Sequence, residues 1–214
     1  MSAVHLYVFD WDGTLIDSVP RIVHCLKRAA ETLQFRILSD EAYGDVIGLG
    51  LPQAIARLYP GLDADWAEAY RQQYAEAFVS ADGEPSAFFP GALETLDALR
   101  SRGHRLAVAT GKSRRGLDRV LQRHGLAGFF DATRCADETA SKPDPTMLHQ
   151  IFAELDVPAA QSLMVGDTEY DLDMAARAGV RSVGVSYGVH SRERLARHAP
   201  LRIIDALPQL LESG

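Results

Sequence analysis

Near its beginning the chain reads Val4-His5-Leu6-Tyr7-Val8-Phe9-Asp10-Trp11-Asp12-Gly13-Thr14. The first six of these residues are nearly all apolar and β-prone, as expected of a strand that is buried on both faces of a parallel sheet. Asp10 and Asp12 come directly after this strand. Because ligands of open α/β sheets bind at the carboxyl ends of the strands, the sequence predicts an acidic site at the end of its first strand.

Further short apolar runs alternate with segments of helical period, and they predict strands over 104–109, 162–165 and 180–185, with a short strand near 131–133. The helices between them have recognisable ends. Ser113 is expected to cap a helix that stops at Gly125, and Asp144-Pro145 is expected to provide an N-cap and a first-turn proline. This alternation predicts an α/β fold with a doubly wound, mostly parallel, Rossmann-like sheet.

The segment 17–84 breaks the alternation, because it holds several amphipathic helical patterns and no convincing strand. We predict that it is an inserted α-helical cap domain and that residues 1–16 and 85–214 form the α/β core. Its helical patterns run over 19–33, 51–58 and 63–79. The glycine- and proline-containing segment 81–85 is interpreted as the return linker to the core.

Composition narrows the class of protein. A chain of 214 residues with 47% hydrophobic residues can bury a core of its own, as a monomer or a dimer. A net charge of −7 disfavours a nucleic-acid surface. Cys25 and Cys135 form no metal or disulfide motif, and no signal peptide or membrane span is recognised, so we expect a cytoplasmic protein with no nucleic-acid or membrane partner.

The two aspartates after the first strand suggest phosphoryl transfer. Hydrolysis of a phosphate monoester is extremely slow without a catalyst, so it requires a nucleophile, a proton donor and charge compensation together. We assign Asp10 as the nucleophile that forms an aspartyl-phosphate, and Asp12 as the general acid and base. Both can reach one substrate only if the chain turns immediately after Asp10, and Gly13 suits such a turn.

A hard divalent cation would relieve the repulsion between carboxylates and phosphate, and Mg²⁺ typically takes one or two carboxylate ligands. Asp10 and Asp167 are the expected carboxylate ligands. We expect Asp167 to cap the helix that starts near residue 168. Asp171 follows one turn later, where it either holds a metal-bound water or orients Lys142.

Four further residues are predicted to bind the transferring phosphoryl group. Lys142 offers a positive charge, Thr110 offers a hydroxyl, and the amides of Gly111 and Lys112 can point toward an anion. The side chains of Lys112 and Arg114 are interpreted as solvated charges at the start of a helix.

The motifs Asp10-Trp11-Asp12-Gly13-Thr14, Thr110-Gly111, Lys142-Pro143 and Gly166-Asp167 with Asp171 together resemble those of the haloacid dehalogenase superfamily, over essentially the whole chain. The helical insert is similar to the small cap of the branch that contains phosphoglycolate phosphatases and certain pyrophosphatases. The resemblance implies an Mg²⁺-dependent phosphatase with a mobile cap and a small phosphorylated metabolite as its substrate. It also implies that the backbone carbonyl of Asp12 ligates the metal.

Several alternatives stay open. Members of the family that are dehalogenases lack the second aspartate, so the presence of Asp12 favours a phosphatase, with a phosphomutase or an inorganic pyrophosphatase as alternatives. A non-catalytic phosphate-binding scaffold is a different class, and a signalling receiver is disfavoured by the helical insert. Arg21, Arg57 and the loop 48–51 are considered as substrate-selecting elements, but each is interpreted individually as structural or solvent-facing.

Overall fold

The computed structural model describes residues 3–80 and 86–212. Within these ranges six strands form one sheet in the order β3-β2-β1-β4-β5-β6, and every neighbouring pair is parallel. The strands are β1 Leu6–Phe9, β2 Arg105–Thr110, β3 Ala132–Cys135, β4 Ser162–Gly166, β5 Arg181–Val185 and β6 Arg202–Ile204. All four residues of β1 are buried, as the apolar run predicts.

Nine α-helices lie in the described ranges: α1 Val19–Thr32, α2 Asp40–Gly44, α3 Leu51–Leu58, α4 Ala64–Ser80, α5 Ala92–Ser101, α6 Arg114–Arg123, α7 Thr146–Leu155, α8 Glu169–Arg177 and α9 Arg192–Ala196. Alternate residues of β1 point to opposite faces of the sheet. Phe9 joins a hydrophobic cluster with residues of α5 and α6, whereas Val8 joins a second cluster with residues of α7 and α8. The sheet is therefore doubly wound, which confirms the predicted α/β fold class.

Some local expectations differ from the structure. The sequence patterns did not predict β6, α2 or α9, since each has only three to five residues. Ser113 caps α6 as expected, because its side chain accepts a hydrogen bond from the Gly116 amide. The predicted start of α7 is wrong by one residue: Pro145 is the N-cap, while the Asp144 carboxylate still accepts a hydrogen bond from the Thr146 amide at 2.9 Å.

The helices α1–α4 form a separate hydrophobic cluster that includes Ile22, Ile55 and Tyr70, and no strand occurs in the described part of the chain between residues 17 and 80. The Tyr70 hydroxyl donates to the Leu26 carbonyl at 2.6 Å. Trp66, on the same helix as Tyr70, is 47% exposed. Residues 81–85, the predicted return linker, lie outside the described ranges, and the domain boundaries at 17 and 84 stay a prediction.

Two further features concern the apolar character of the helices and the state of the two cysteines. In the described ranges, no helix combines the length and the apolar character needed to span a bilayer. Cys25 and Cys135 are both free and buried, and burial raises the pKa of the Cys135 thiol to about 12.

Two half-buried histidines should make stability depend on pH. His104 and His124 pack edge-on against Tyr7 and Phe88, with ring centroids 5.1 and 4.8 Å apart, and burial lowers the pKa of both imidazoles. The folded state thus keeps them neutral while the unfolded chain binds protons near pH 6.5, so their contribution is full above pH 6.5 and is lost as the pH falls below it.

The measurement is urea unfolding of the wild type and His124→Gln at pH 7.5 and pH 5.5. The variant should lose less stability than the wild type between the two pH values, by at most about 1.4 kcal/mol per pH unit. Identical losses would show that His124 is protonated equally in both states.

Candidate active site

The chain turns sharply directly after β1. The Asp10 amide donates to the Val165 carbonyl at 2.9 Å, as if β1 continued, and Gly13 then adopts a left-handed conformation with φ of +81°. The Gly13 amide donates to the Ile16 carbonyl at 2.9 Å and closes the turn. A Cβ atom at position 13 would lie 2.3 Å from Oδ2 of Asp167, so glycine is required both for the turn and for the approach of this aspartate.

A cluster of three buried carboxylates lies at the carboxyl edge of the sheet. One oxygen each of Asp10, Asp167 and Asp171 lies within 4.8 Å of the others. All three side chains are at most 1% exposed. Oδ2 of Asp10 is buried and has no hydrogen-bond partner among the described residues. The structure therefore brings together the carboxylate that follows β1, the one in the loop after β4 and the one in the first turn of α8.

Burying three carboxylates beside one another is electrostatically unfavourable. Burial raises the pKa of Asp10 well above its usual range, although Lys142 acts in the opposite direction and the charges of Asp171 and Asp167 add to the effect. Burial and the charge of Asp171 raise the pKa of Asp167 to about 7. Buried like charges are tolerated when a cation compensates them, and a set of oxygen ligands with one unpartnered atom fits a hard divalent ion.

Lys142 lies between two members of the cluster. Its Nζ donates to Oδ1 of Asp10 and to Oδ1 of Asp171, both at 2.6 Å, and the lysine side chain is fully buried. Burial alone would lower the pKa of Lys142, but the two carboxylates raise it above its ordinary value, so the ammonium stays charged. The other oxygen of Asp171 accepts hydrogen bonds from the amide and hydroxyl of Thr168. Of the two roles expected for Asp171, the geometry favours orienting Lys142.

The expectation that Asp167 caps α8 is wrong. The N-cap is Thr168, whose hydroxyl accepts from the Asp171 amide in a reciprocal capping box. The Asp167 carboxylate instead accepts hydrogen bonds from the Thr14 hydroxyl at 2.9 Å and from the Val189 amide at 2.8 Å. These two donors hold the side chain toward Asp10 and away from the end of the helix.

Thr110 and Gly111 lie at the same edge, at the end of β2. Thr110 is fully buried, and its hydroxyl oxygen accepts the Lys112 amide at 3.2 Å, so that amide points to Thr110. A Cβ atom at Gly111 would lie 2.4 Å from the Leu49 carbonyl oxygen and 2.7 Å from that of Gly48. The loop between α2 and α3 thus packs directly on Gly111, and no larger residue fits there.

Asp12 has two polar partners. Its Oδ1 accepts a hydrogen bond from the Ser18 hydroxyl at 2.5 Å and forms an ion pair with Lys112 Nζ at 2.9 Å. The Lys112 side chain is only 9% exposed, so its interpretation as a solvated charge is wrong. Arg114 lies outside this cluster, where its half-buried side chain pairs with Glu138 and donates to Thr133. In the sequence, the position of Lys112 two residues after Thr110 is the signal that could have indicated that its side chain lies in the site.

The helical segment contacts the sheet domain beside these residues. Arg194 of α9 pairs with Asp45, which follows α2, and also with Glu169 at 2.6 Å. The Tyr170 hydroxyl donates to the Asp45 carbonyl at 2.7 Å, and the Gly50 amide donates to the Ser141 hydroxyl at 2.8 Å. Helices α1–α4 therefore lie over the carboxyl edge of the sheet in this conformation.

Gly188→Ala should weaken metal binding, because the added Cβ atom forces Asp167 to shift. A Cβ atom at this position would lie 2.2 Å from Cβ and 2.3 Å from Oδ2 of Asp167, whose side chain is already fixed by Thr14 and Val189. We expect the Mg²⁺ concentration for half-maximal activity to rise by about 10- to 100-fold, as when the support of a metal ligand is lost. Gly44→Ala is the matched control, since a Cβ there meets nothing within 4 Å. An unchanged Mg²⁺ requirement in Gly188→Ala would contradict the role of Asp167.

Comparisons with known proteins agree with this geometry. The family model described as haloacid dehalogenase-like hydrolase matches residues 7–185. The chain is 30% identical to a phosphoglycolate phosphatase of Vibrio parahaemolyticus, over 98% of the chain and 95% of that protein. It is 32% identical to a phosphoglycolate phosphatase of Vibrio cholerae, over 99% of the chain and 97% of that protein.

Among solved structures, a haloacid dehalogenase-like hydrolase from Bacteroides fragilis superposes with a TM-score of 0.90 at 30% identity, over 97% of this chain and 99% of that one. The sequence and structural similarities thus extend over nearly the entire chain. The chain therefore belongs to the haloacid dehalogenase-like hydrolases, on the phosphoglycolate phosphatase-like branch of that superfamily, and is a phosphatase-type hydrolase.

Proposed function

We propose that the chain is an Mg²⁺-dependent phosphatase that hydrolyses a small phosphorylated metabolite through an aspartyl-phosphate on Asp10. The observation that carries this proposal is the state of the Asp10 carboxylate. Lys142 holds Oδ1, while Oδ2 is buried and has no partner among the described residues. A carboxylate oxygen can only accept, so this atom is free to bind a cation or to attack the phosphorus of a substrate.

The residues that would hold Mg²⁺ are Asp10 and Asp167, with the backbone carbonyl of Asp12 as the ligand that the family resemblance implies. The ion, when bound, would compensate the negative charge of the carboxylates and of the phosphoryl oxygens. The unpartnered oxygen of Asp10 and the raised pKa of Asp167 both support a cation at this position.

The chain's own residues then divide the displacement into two steps. In the first, a carboxylate oxygen of Asp10 attacks phosphorus, the bond to the leaving oxygen breaks, and Asp12 gives that oxygen its proton. In the second, Asp12 takes a proton from water as the water oxygen attacks phosphorus, which releases inorganic phosphate and restores the Asp10 carboxylate. Lys142 and Thr110 bind the phosphoryl oxygens during both steps.

In this proposal the helical segment encloses the active site during the reaction. We propose that residues 17–84 act as a cap domain over a core of residues 1–16 and 85–214, closing for the first step and opening for product release. The close packing of the 48–50 loop against Gly111 and the ion pair of Asp45 with Arg194 support a closed arrangement.

The test is phosphate release by purified protein from p-nitrophenyl phosphate and a panel of phosphorylated metabolites, with no phosphoryl acceptor present. We expect release that EDTA abolishes and added Mg²⁺ restores. Release that survives complete chelation would refute the metal dependence, and release that requires a sugar phosphate acceptor would indicate a phosphomutase. Folded, Mg²⁺-loaded protein that is inactive on the whole panel would indicate a non-catalytic scaffold.

A further inference from the structure

Tyr187 lies in the loop after β5, near the carboxylate cluster, and the proposed mechanism assigns it no role. Its hydroxyl donates to the carbonyl of Thr14 at 2.8 Å. The hydroxyl of Thr14, which is fully buried, donates in turn to Oδ1 of Asp167 at 2.9 Å. Burial and the charge of Asp167 raise the pKa of the Tyr187 hydroxyl, so it stays protonated and acts as a donor. Tyr187 is therefore linked to a proposed metal ligand through one intermediate residue.

The ring of Tyr187 contacts the place where the chain passes between the sheet domain and the helical segment. The passage is made by residues 15–18 and residues 86–89, which lie antiparallel to each other and are called the connectors below. Backbone hydrogen bonds from the Asp17 amide, at 2.9 Å, and from the Phe89 amide, at 3.0 Å, join them. The ring centroids of Tyr187 and Phe89 are 4.4 Å apart. Because the chain enters and leaves the helical segment through the connectors, a movement of that segment must change them.

The rest of the loop after β5, residues 186–190, contacts both the metal site and the helical segment. The Val189 amide donates to Oδ2 of Asp167 at 2.8 Å, and the Val189 side chain packs against the hydrophobic cluster of α1–α4. Nε2 of His190 lies 3.6 Å from Oδ1 of Asp45, which follows α2. One short loop thus contacts a metal ligand, the connectors and the helical segment, and such a continuous network can carry energetic coupling between them.

We propose that Tyr187 is a positioning residue that acts through Thr14 to hold Asp167 in place for the metal and that couples this ligand to the connectors. Metal binding and closure of the helical segment then favour each other, because coupling between two sites is reciprocal. This inference rests on the proposed Mg²⁺ site, and it adds a physical link between that site and the movement of the cap.

A purely structural role for Tyr187 makes different predictions. In that case its ring only fills the space between the sheet and the connectors, and its hydroxyl only satisfies the carbonyl of Thr14. Loss of the hydroxyl would then lower the free energy of unfolding but would leave the Mg²⁺ affinity unchanged. The response of the connectors to Mg²⁺ would also be unchanged.

The first measurement is the Kd for Mg²⁺ by isothermal titration calorimetry, with no substrate present. Tyr187→Phe should raise this Kd by about 3- to 10-fold, the value of one neutral hydrogen bond. Thr14→Val, which removes a donor to a carboxylate, should raise it by about 10- to 100-fold. The double variant should stay within about twofold of Thr14→Val, because residues that act through one another are not additive.

The second measurement is amide hydrogen exchange by NMR at Asp17 and Phe89, the two donors that join the connectors. Saturation with Mg²⁺ should slow exchange at both amides of the wild type by at least about threefold, because metal binding favours the closed connectors. In Tyr187→Phe, Mg²⁺ at a concentration that saturates the variant should leave the exchange rates within about 1.5-fold of those without the metal.

The matched control is Tyr70→Phe. Its hydroxyl also donates to a backbone carbonyl, that of Leu26, at 2.6 Å, but this bond lies inside the helical segment. The variant loses the same kind of hydrogen bond, so its stability should fall by a similar amount. Its Kd for Mg²⁺ should remain within about twofold of the wild-type value, and Mg²⁺ should still slow exchange at Asp17 and Phe89.

A wild-type Kd in Tyr187→Phe would overturn the inference, and so would connectors in that variant that respond to Mg²⁺ as in the wild type. Additive losses in the double variant would overturn the action through Thr14. In each of these cases the phosphatase proposal and its Mg²⁺ site would stand. A wild type that binds no Mg²⁺ would overturn the proposed metal site and this inference together.

Discussion

Asp10→Asn should lower kcat by at least about 10³-fold, which corresponds to about 4 kcal/mol of lost transition-state stabilisation. The amide has the shape of the carboxylate but cannot attack phosphorus to form an acyl-phosphate. The fold should persist, because Lys142 keeps its 2.6 Å hydrogen bond to Asp171 and because burial already disfavours a charge at position 10. The measurement is single-turnover and steady-state phosphate release, with circular dichroism to verify folding.

The matched control for this variant is Asp173→Asn. Asp173 lies on α8, near Asp171 in sequence, but its carboxylate is partly exposed and pairs with Arg177 at 2.7 Å. Its replacement should leave kcat near the wild-type value. If Asp10→Asn itself stayed within about tenfold of the wild type, a change of only ~1.4 kcal/mol, Asp10 would not be the nucleophile.

Lys142→Met should damage both stability and activity. The lysine is the partner of two buried carboxylates, Asp10 and Asp171, and its removal leaves both unpaired in a site that excludes water. Breaking a buried ion pair by removing one partner costs about 3–5 kcal/mol, so we expect a decrease of this size in the metal-free unfolding free energy. We also expect kcat to fall by at least about 10²-fold, because a charge near the transferring oxygens is lost.

Urea unfolding in the presence of EDTA and phosphate release at saturating Mg²⁺ measure the two effects separately. The control is Lys27→Met, since Lys27 pairs with Asp40 on the surface of the helical segment, where solvent screens the interaction. It should resemble the wild type in both assays. A Lys142→Met protein as stable and active as the Lys27→Met protein would show that the buried ion pairs have no role.

The sheet and the acidic motifs were predictable because each of them is local in sequence. A run of six nearly all apolar residues before Asp10 defines a buried central strand, and parallel strands necessarily bring their carboxyl ends to one edge. For this reason the sequence placed Asp10, Lys142 and Asp167 at a common edge, where the structure brings their side chains together. The short elements β6, α2 and α9 have too few residues for a periodic pattern to emerge.

Side-chain directions were less predictable, because contacts distant in sequence determine them. The orientation of Asp167 depends on Thr14, 153 residues earlier, and on the Val189 amide, and neither contact can be inferred from the Gly166-Asp167 motif. Lys112 is buried because Asp12 and the ring of Phe78 cover it, and both lie in parts of the chain far from it in sequence. A charged residue at a helix start is ordinarily solvated, and only tertiary packing reverses that expectation here.

The claim on which the account depends is that Asp10 and Asp167 bind one divalent ion together. Crystals grown with Mn²⁺, which prefers the same oxygen ligands as Mg²⁺ and scatters anomalously, test it directly. We predict one strong anomalous peak with a carboxylate oxygen of Asp10 and one of Asp167 both at about 2 Å. A fully occupied ion bound by only one of the two carboxylates, or bound elsewhere in the protein, would contradict it.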